Sequence, residues 1–393
     1  MRLAVPRLSL SPGLRRTLFA LAGIGLVACA AGLVLAPQQA WRGYLIAVFY
    51  LAGLGLGAAL FLATQYVTGA GWSIAIRRVP EAMTSILPVA GVGVLLLLLG
   101  VHSLYPWSHP EAQGEPALAG KLGWLNVPFF GARIVGYVLV WTLLSRIMVG
   151  TSRRQDNDGD AAHTRANVRN SVFMIVCGVL TGCLAAIDML MSLQPAWYST
   201  MFGVWSLAGC FLSSIAAMAL AVVLLRRSGW DHVFTSNHVY DLGRLLLAFS
   251  VFWVYLWASQ HMLIWYAHLP EETAYFRRRH VGGWGILSIA NVLLNWTLPF
   301  LMMLSRDARR SDLVVGLAAG TILVGHWLDL CVIVVPSDPA ASPVLGPLEL
   351  LPAVGALALF VLVAARAFAR NHALPIRDPY LVESLPQLTS DAH

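Results

Sequence analysis

The sequence predicts an all-α integral membrane protein of about ten transmembrane helices, eight of them forming two parallel-repeat four-helix bundles (helices 2–5 and 6–9) and two flanking these. Three observations lead there: a composition poor in charge, ten apolar runs of spanning length, and landmarks that recur about 160 residues apart. Of 393 residues, 58% are hydrophobic and only 11% are charged. Soluble globular chains carry roughly 25% charged residues. The mean hydropathy is +0.71. This composition excludes a soluble enzyme, a nucleic-acid binder and a disordered chain. The formal net charge of +7 rests on 25 Arg and a single Lys, Lys121.

A helix needs about 20 mostly apolar residues to cross a bilayer. Ten runs qualify: 17–36, 43–67, 82–101, 128–149, 171–193, 202–225, 243–267, 283–304, 313–335 and 348–369. Barrel strands would be about 10 residues long and alternating, so helices are expected. The first run follows Arg15 and Arg16 and could pass for a secretory signal. Its apolar stretch exceeds an ordinary signal core, and it reads as a retained helix. Cations set the orientation. With the N-terminus cytoplasmic, twenty cations fall inside, among them Arg2, Arg7, Arg15 and Arg16. Six fall outside: Arg42, Lys121, Arg133, Arg277, Arg278 and Arg279. Both termini are then cytoplasmic, and the location expected is a bacterial inner membrane. The outer segment "PEETAYFRRRH" dissents from the rule; either it docks an outer partner or its Arg residues neutralise Glu271 and Glu272.

The repeat rests on five ordered landmarks. "YLAG" at 50–53 matches "SLAG" at 206–209, Glu81 matches Asp241, and His102 matches His261. "LLSR" ending at Arg146 matches "MLSR" ending at Arg306. Asp188 and Asp329 each stand seven residues before a proline, Pro195 and Pro336. The shorter offset of this last pair is ascribed to a long 150–170 loop. Four helices return the chain to its starting side, so the copies are parallel. The organisation expected is 1–40 for the cytoplasmic N-terminus and helix 1, 41–195 and 196–336 for the two bundles, and 337–393 for helix 10 and a cytoplasmic tail.

Charges inside a membrane are costly, roughly 2.5–3.5 kcal/mol at a helix centre, and commonly mark pathways or sites. Asp188 lies about 26 Å along its helix and Asp329 about 24 Å along its own, both in the outer third. His326 precedes Asp329 by three residues and shares its face. His261 has similar depth. Arg133 and Tyr137, spaced by four, meet this level from the opposite direction, as do Asn291 and Asn295. Asp188, His326, Asp329, Arg133 and His261 are therefore expected to form a proton or quinone cluster, because a carboxylate beside an imidazole can pass a proton. The alternative is interhelical bonding, with Asp188 and Arg133 as a buried ion pair. At the inner side, Glu81 and Asp241 open helices 3 and 7. They read either as inner proton entrances or as acids favoured by the helix macrodipole.

The five cysteines (29, 177, 183, 210 and 331) lie in apolar runs without a C-x-x-C, so neither an iron–sulfur cluster nor c-type haem attachment is expected. His102, His261 and His326 lie toward one side and supply no second pair for a haem b. No metal site, Walker motif or nucleophile elbow is present.

Several stretches carry a family resemblance: "WRGYLIAVFYLAGLGLGAALFLATQYVTGAGWSIAIRRVPEAM" (41–83), "DMLMSLQPAWYSTMFGVWSLAG" (188–209), "YDLGRLLLAFSVFWVYLWASQHMLIWYAHLPEETAYF" (240–276), "NWTLPFLMMLSR" (295–306) and "GHWLDL" (325–330). Over 41–336 the chain resembles the NrfD-like membrane subunits, most closely the second, quinone-binding-type subunit of alternative complex III, a quinol:cytochrome c oxidoreductase. The resemblance implies two four-helix bundles with flanking helices and no redox centre of the chain's own. Menaquinone or ubiquinone is the cofactor it points to. The implied partners are a sibling NrfD-like subunit, an iron–sulfur subunit and c-type cytochrome subunits, in contact with lipid and not with nucleic acid. It also implies proton conduction by Asp188, His326 and Asp329, with Arg133 and His261 beside them. Catalysis by this chain itself stays open, since electron transfer would belong to the partners. Two other classes are weighed: a secondary transporter, which would show broken helices at mid-depth, and a purely structural anchor for outer redox subunits.

Overall fold

The computed structural model describes residues 10–114, 116, 118–338, 340–370 and 372–385. Arg2 and Arg7 of the orientation count, and the last eight residues of the expected tail, lie outside the described residues. Ten helices are long and apolar enough to cross a membrane, and no strand occurs among the described residues. They are α1 Pro12–Leu35, α2 Pro37–Thr68, α3 Arg78–Leu104, α4 Val127–Asp158, α5 Ala162–Leu193, α6 Met201–Trp230, α7 Ser236–Ala267, α8 Gly283–Met302, α9 Asp312–Ser337 and α10 Pro347–Ala369. An even number of spans brings both ends of the chain to one face, here termed the tail face.

The starts follow local chemistry. Ser11 accepts from the Leu14 amide at 3.2 Å ahead of Pro12, and Asn126 accepts from the Phe129 amide at 2.9 Å ahead of α4. Each satisfies an amide that has no partner within its own helix. Pro37 forces the preceding residue out of helical geometry, which separates α1 from α2. The 150–170 segment corrects the sequence reading. It is no long loop: α4 runs on to Asp158, Gly159 turns the chain at φ 75°, and α5 begins at Ala162. At 32 residues, α4 is about 48 Å long and outruns a hydrocarbon core of about 30 Å. Its charged last turns stand beyond the apolar run, where water can hydrate them.

Packing reproduces the repeat. In the first bundle α2 contacts α3, α3 contacts α4, α4 contacts α5, and α5 returns to α2. In the second, α6, α7, α8 and α9 close the same ring in the same order. The first helices of the two rings, α2 and α6, pack against each other at the centre. Lipid offers no hydrophobic drive between helices, so close small-residue packing and interhelical hydrogen bonds must hold them. The Ser214 hydroxyl supplies such bonds, donating to the carbonyls of Gly53 at 3.2 Å and Leu54 at 2.9 Å. α1 and α10 pair outside the rings and lean on α2.

Candidate functional site

The five residues expected to form one cluster are divided among three places. In the first bundle Asp188 is wholly buried. Arg133 grips it with two nitrogens, Nε at 2.7 Å from Oδ2 and Nη2 at 3.0 Å from Oδ1. The Tyr137 hydroxyl donates to Oδ2 at 2.6 Å and the Trp124 indole to Oδ1 at 2.8 Å. The remaining guanidinium nitrogen donates to the Trp124 carbonyl at 2.9 Å. The guanidinium carbon also lies 4.2 Å from the Trp124 ring centroid and 4.5 Å from that of Phe129. Spacing of four on α4 places Arg133 and Tyr137 on one face toward α5. The charge is paired and each carboxylate oxygen accepts two hydrogen bonds, the arrangement a buried ion pair requires.

The second bundle holds the same carboxylate differently. Asn291 donates to Asp329 Oδ1 at 2.7 Å, and Asn295 donates to Asn291 Oδ1 at 2.6 Å. Asn295 sits in a π-helical turn, Leu293–Thr297, a local widening that recurs at functional positions. Gly325 lets the amide approach α9, since a Cβ there would stand 2.9 Å from it. His326 Nδ1 is 4.0 Å from Asp329 Oδ2. Neither imidazole nitrogen nor that carboxyl oxygen makes a hydrogen bond. Trp253, fully buried, turns its indole toward the same carboxyl group without closing a bond of normal geometry. Gly209 of α6 makes room for the imidazole: a Cβ would meet its ring at 2.8 Å and the Trp253 nitrogen at 3.4 Å. Tyr50 of α2 lies over His326 with ring centroids 5.4 Å apart.

The two sites are repeat counterparts. Asn291 and Asn295 occupy the positions, 158 residues on, of Arg133 and Tyr137. Where the first bundle supplies a permanent cation, the second supplies a neutral amide. The first aspartate is electrically balanced; among the described residues, the second has no Arg or Lys paired with it. That contrast is the main chemical feature of the molecule.

His261 joins neither group. Its Nδ1 lies 2.7 Å from the Trp257 carbonyl, and its ring packs on Trp257 at 3.8 Å and Phe276 at 4.3 Å. It lines a separate groove at the face opposite the tail. Glu81 and Asp241 also differ from each other. Glu81 is buried, paired with Arg78 and bonded by the Ser152 hydroxyl at 2.6 Å. Arg78 pairs in turn with Asp156. Asp241 is partly exposed and meets Arg244 at 3.4 Å. Among the described residues, no three His, Cys, Asp or Glu side chains form a group that could hold a metal ion.

No family model matches this chain, and no curated protein matches it.

Several residues of these sites escape sequence reasoning. Trp124, Tyr50 and Trp253 reach their partners across helices, and single aromatics in apolar runs give no signal of such contacts. Arg279 is another. It lies on a short helix, Pro270–His280, with acids in its first turn and bases in its last, as the macrodipole favours. Arg279 is buried and donates to the Val332 carbonyl at 3.0 Å and the Ile333 carbonyl at 2.6 Å, near the end of α9. Among the described residues, Glu271 and Glu272 form no ion pair with the three Arg side chains.

Proposed function

We propose that this chain is a membrane subunit, without a redox centre of its own, of a quinol:acceptor oxidoreductase of the alternative complex III type. In this reading it lies in a bacterial inner membrane with cytoplasmic termini. Its second bundle contributes a proton-handling site, centred on Asp329 and His326, close to a quinone-binding partner. One observation carries the reading: an acid and an imidazole, both out of water and 4.0 Å apart, retain unused hydrogen-bonding atoms and pair with no Arg or Lys among the described residues. A quinol gives up two protons with two electrons, and such a pair can take and pass a proton once a side-chain rotation or one water closes the 4.0 Å between Oδ2 and Nδ1. The members are too enclosed to dock a ring, which suits proton transfer between side chains. Electrons would travel through iron–sulfur and c-type haem partners; the donor set here fits neither group. A transporter is less well supported, because π-helical widening and Pro299 interrupt α8 while its counterpart α4 is continuous.

The test is made in the intact complex. Asp329→Asn and His326→Gln should slow quinol-driven proton release by at least tenfold while the complex still assembles. Asp188→Asn should act through stability instead. Unchanged proton release with both second-bundle variants assembled would leave the chain an anchor and sink the reading.

A further inference from the structure

Between the last turn of α7 and the short helix Pro270–His280 lies a groove of about 940 Å³. Its polar lining holds one permanent cation, Arg277, with His261, His268, His280 and the Thr273 hydroxyl, and no carboxylate among the lining residues. Its apolar wall includes Met262 and Trp265, 61% and 76% exposed. Arg279, two residues further on, is consumed by the α9 carbonyls, whereas Arg277 is exposed and enters no ion pair among the described residues. The groove also stands where a spanning helix leaves the hydrocarbon. There Trp265 and the 85% exposed Tyr266 make an aromatic belt.

We propose that this groove binds an anionic phospholipid. The phosphodiester sits on the Arg277 guanidinium, whose planar fork matches phosphate oxygens. The His268 and His280 imidazoles donate to the remaining oxygens, the Thr273 hydroxyl joins them on turning from the Pro270 carbonyl, 3.3 Å away, and an acyl chain lies along Met262 and Trp265. Charge complementarity selects this occupant: a zwitterionic headgroup would bring an ammonium beside Arg277, and an uncharged ring would leave the guanidinium unanswered. A membrane-facing apolar wall argues against an acidic protein segment, which would bury neither Met262 nor Trp265 against hydrocarbon.

The full chain is reconstituted in nanodiscs of mixed phosphatidylglycerol and phosphatidylcholine, released, and weighed by native mass spectrometry. Retained phosphatidylglycerol should exceed phosphatidylcholine after correction for their ratio. Arg277→Gln should cut that preference about fivefold, the worth of one cation near a lipid surface. Arg277→Lys should restore most of it, and Arg278→Gln, outside the groove lining, should change it little. Phosphatidylglycerol should also protect His268 from diethylpyrocarbonate, and phosphatidylcholine should not. Equal retention of the two lipids overturns the proposal. So does an unchanged preference in Arg277→Gln, or protection of His268 by a soluble quinone or an acidic peptide instead of lipid.

Discussion

At the scale of the residue, one substitution between the repeats decides the chemistry. Asp188 and Asp329 have the same depth and come from corresponding helices, yet an Arg faces one and an Asn the other. Removing one partner of a buried ion pair strands the other, at a cost of about 3–5 kcal/mol. Arg133→Gln should therefore lower the thermal unfolding temperature of the purified protein sharply. Asp329→Asn keeps an acceptor for Asn291 and leaves no charge behind, so its stability should stay within about 1 kcal/mol of wild type. Near-equal melting shifts for the two variants would contradict this assignment. Gly209→Ala tests the enclosure of His326. Its added methyl must displace the imidazole, for about 1–3 kcal/mol of overpacking, and proton release should suffer as it does in His326→Gln. Both aspartates were legible from their depth in apolar runs, and so was the four-residue spacing shared by Arg133 and Tyr137 with Asn291 and Asn295; which aspartate each pair faces was not. The partners Trp124, Tyr50 and Trp253 were not, because an aromatic in a membrane helix gives the same pattern whether it meets lipid or a neighbour.

At the scale of the element, each repeat carries a cation that ties the loop between its second and third helices to its fourth helix. Lys121 donates to the Pro195 carbonyl at 2.6 Å, just past α5, as Arg279 does to the end of α9. Pro336 has no amide hydrogen to give the Val332 carbonyl, and a cationic donor at a helix end answers both hydrogen-bonding need and helix dipole. Burial pushes the Lys121 ammonium below its ordinary value. Burial also pushes the Arg279 guanidinium down to about 10, with Tyr275 opposing and Arg278 adding to the effect. Arg279 nevertheless stays charged at neutral pH. Arg279→Gln should leave buried carbonyls unpaired, costing about 1–3 kcal/mol, visible as faster amide exchange at the end of α9. His280 gives this region a pH dependence. Burial, then the Arg279 charge, holds its imidazole below 6.5. The unfolded loop therefore binds more protons than the folded one in that range, and stability is lost as pH falls through 6.5. Protection of the 270–280 amides, taken relative to their intrinsic exchange at each pH, should fall on acidification, and less so in His280→Gln. The sequence marked the three arginines as unusual for their side of the membrane. Only the fold separates a buried capping Arg279 from exposed Arg277 and Arg278.

At the scale of the molecule, two rings of four helices share a central α2–α6 contact, and the C-terminal segment straps the tail face. Asp378 pairs with Arg77, and the Ser384 hydroxyl donates to the Trp72 carbonyl at 2.7 Å and accepts from the Ala75 amide at 2.9 Å. His238 of α7 reaches the same hydroxyl at 3.2 Å, so the strap spans both bundles. Ending the chain after Arg370 should expose the connection 69–77 to trypsin at Arg77 and Arg78. Unchanged cleavage there would show that the strap contributes no protection. The sequence alone determined the number of spans and the repeat, because a bilayer demands continuous apolar helices and repeated landmarks survive in linear order. It also placed charges at depth, since their cost there makes them conspicuous. The tertiary structure decided how those charges are balanced. A carboxylate's chemistry depends on what stands within about 4 Å of it, and the groups that bond these two come from segments 38 to 64 residues away in the chain, at distances no linear spacing encodes.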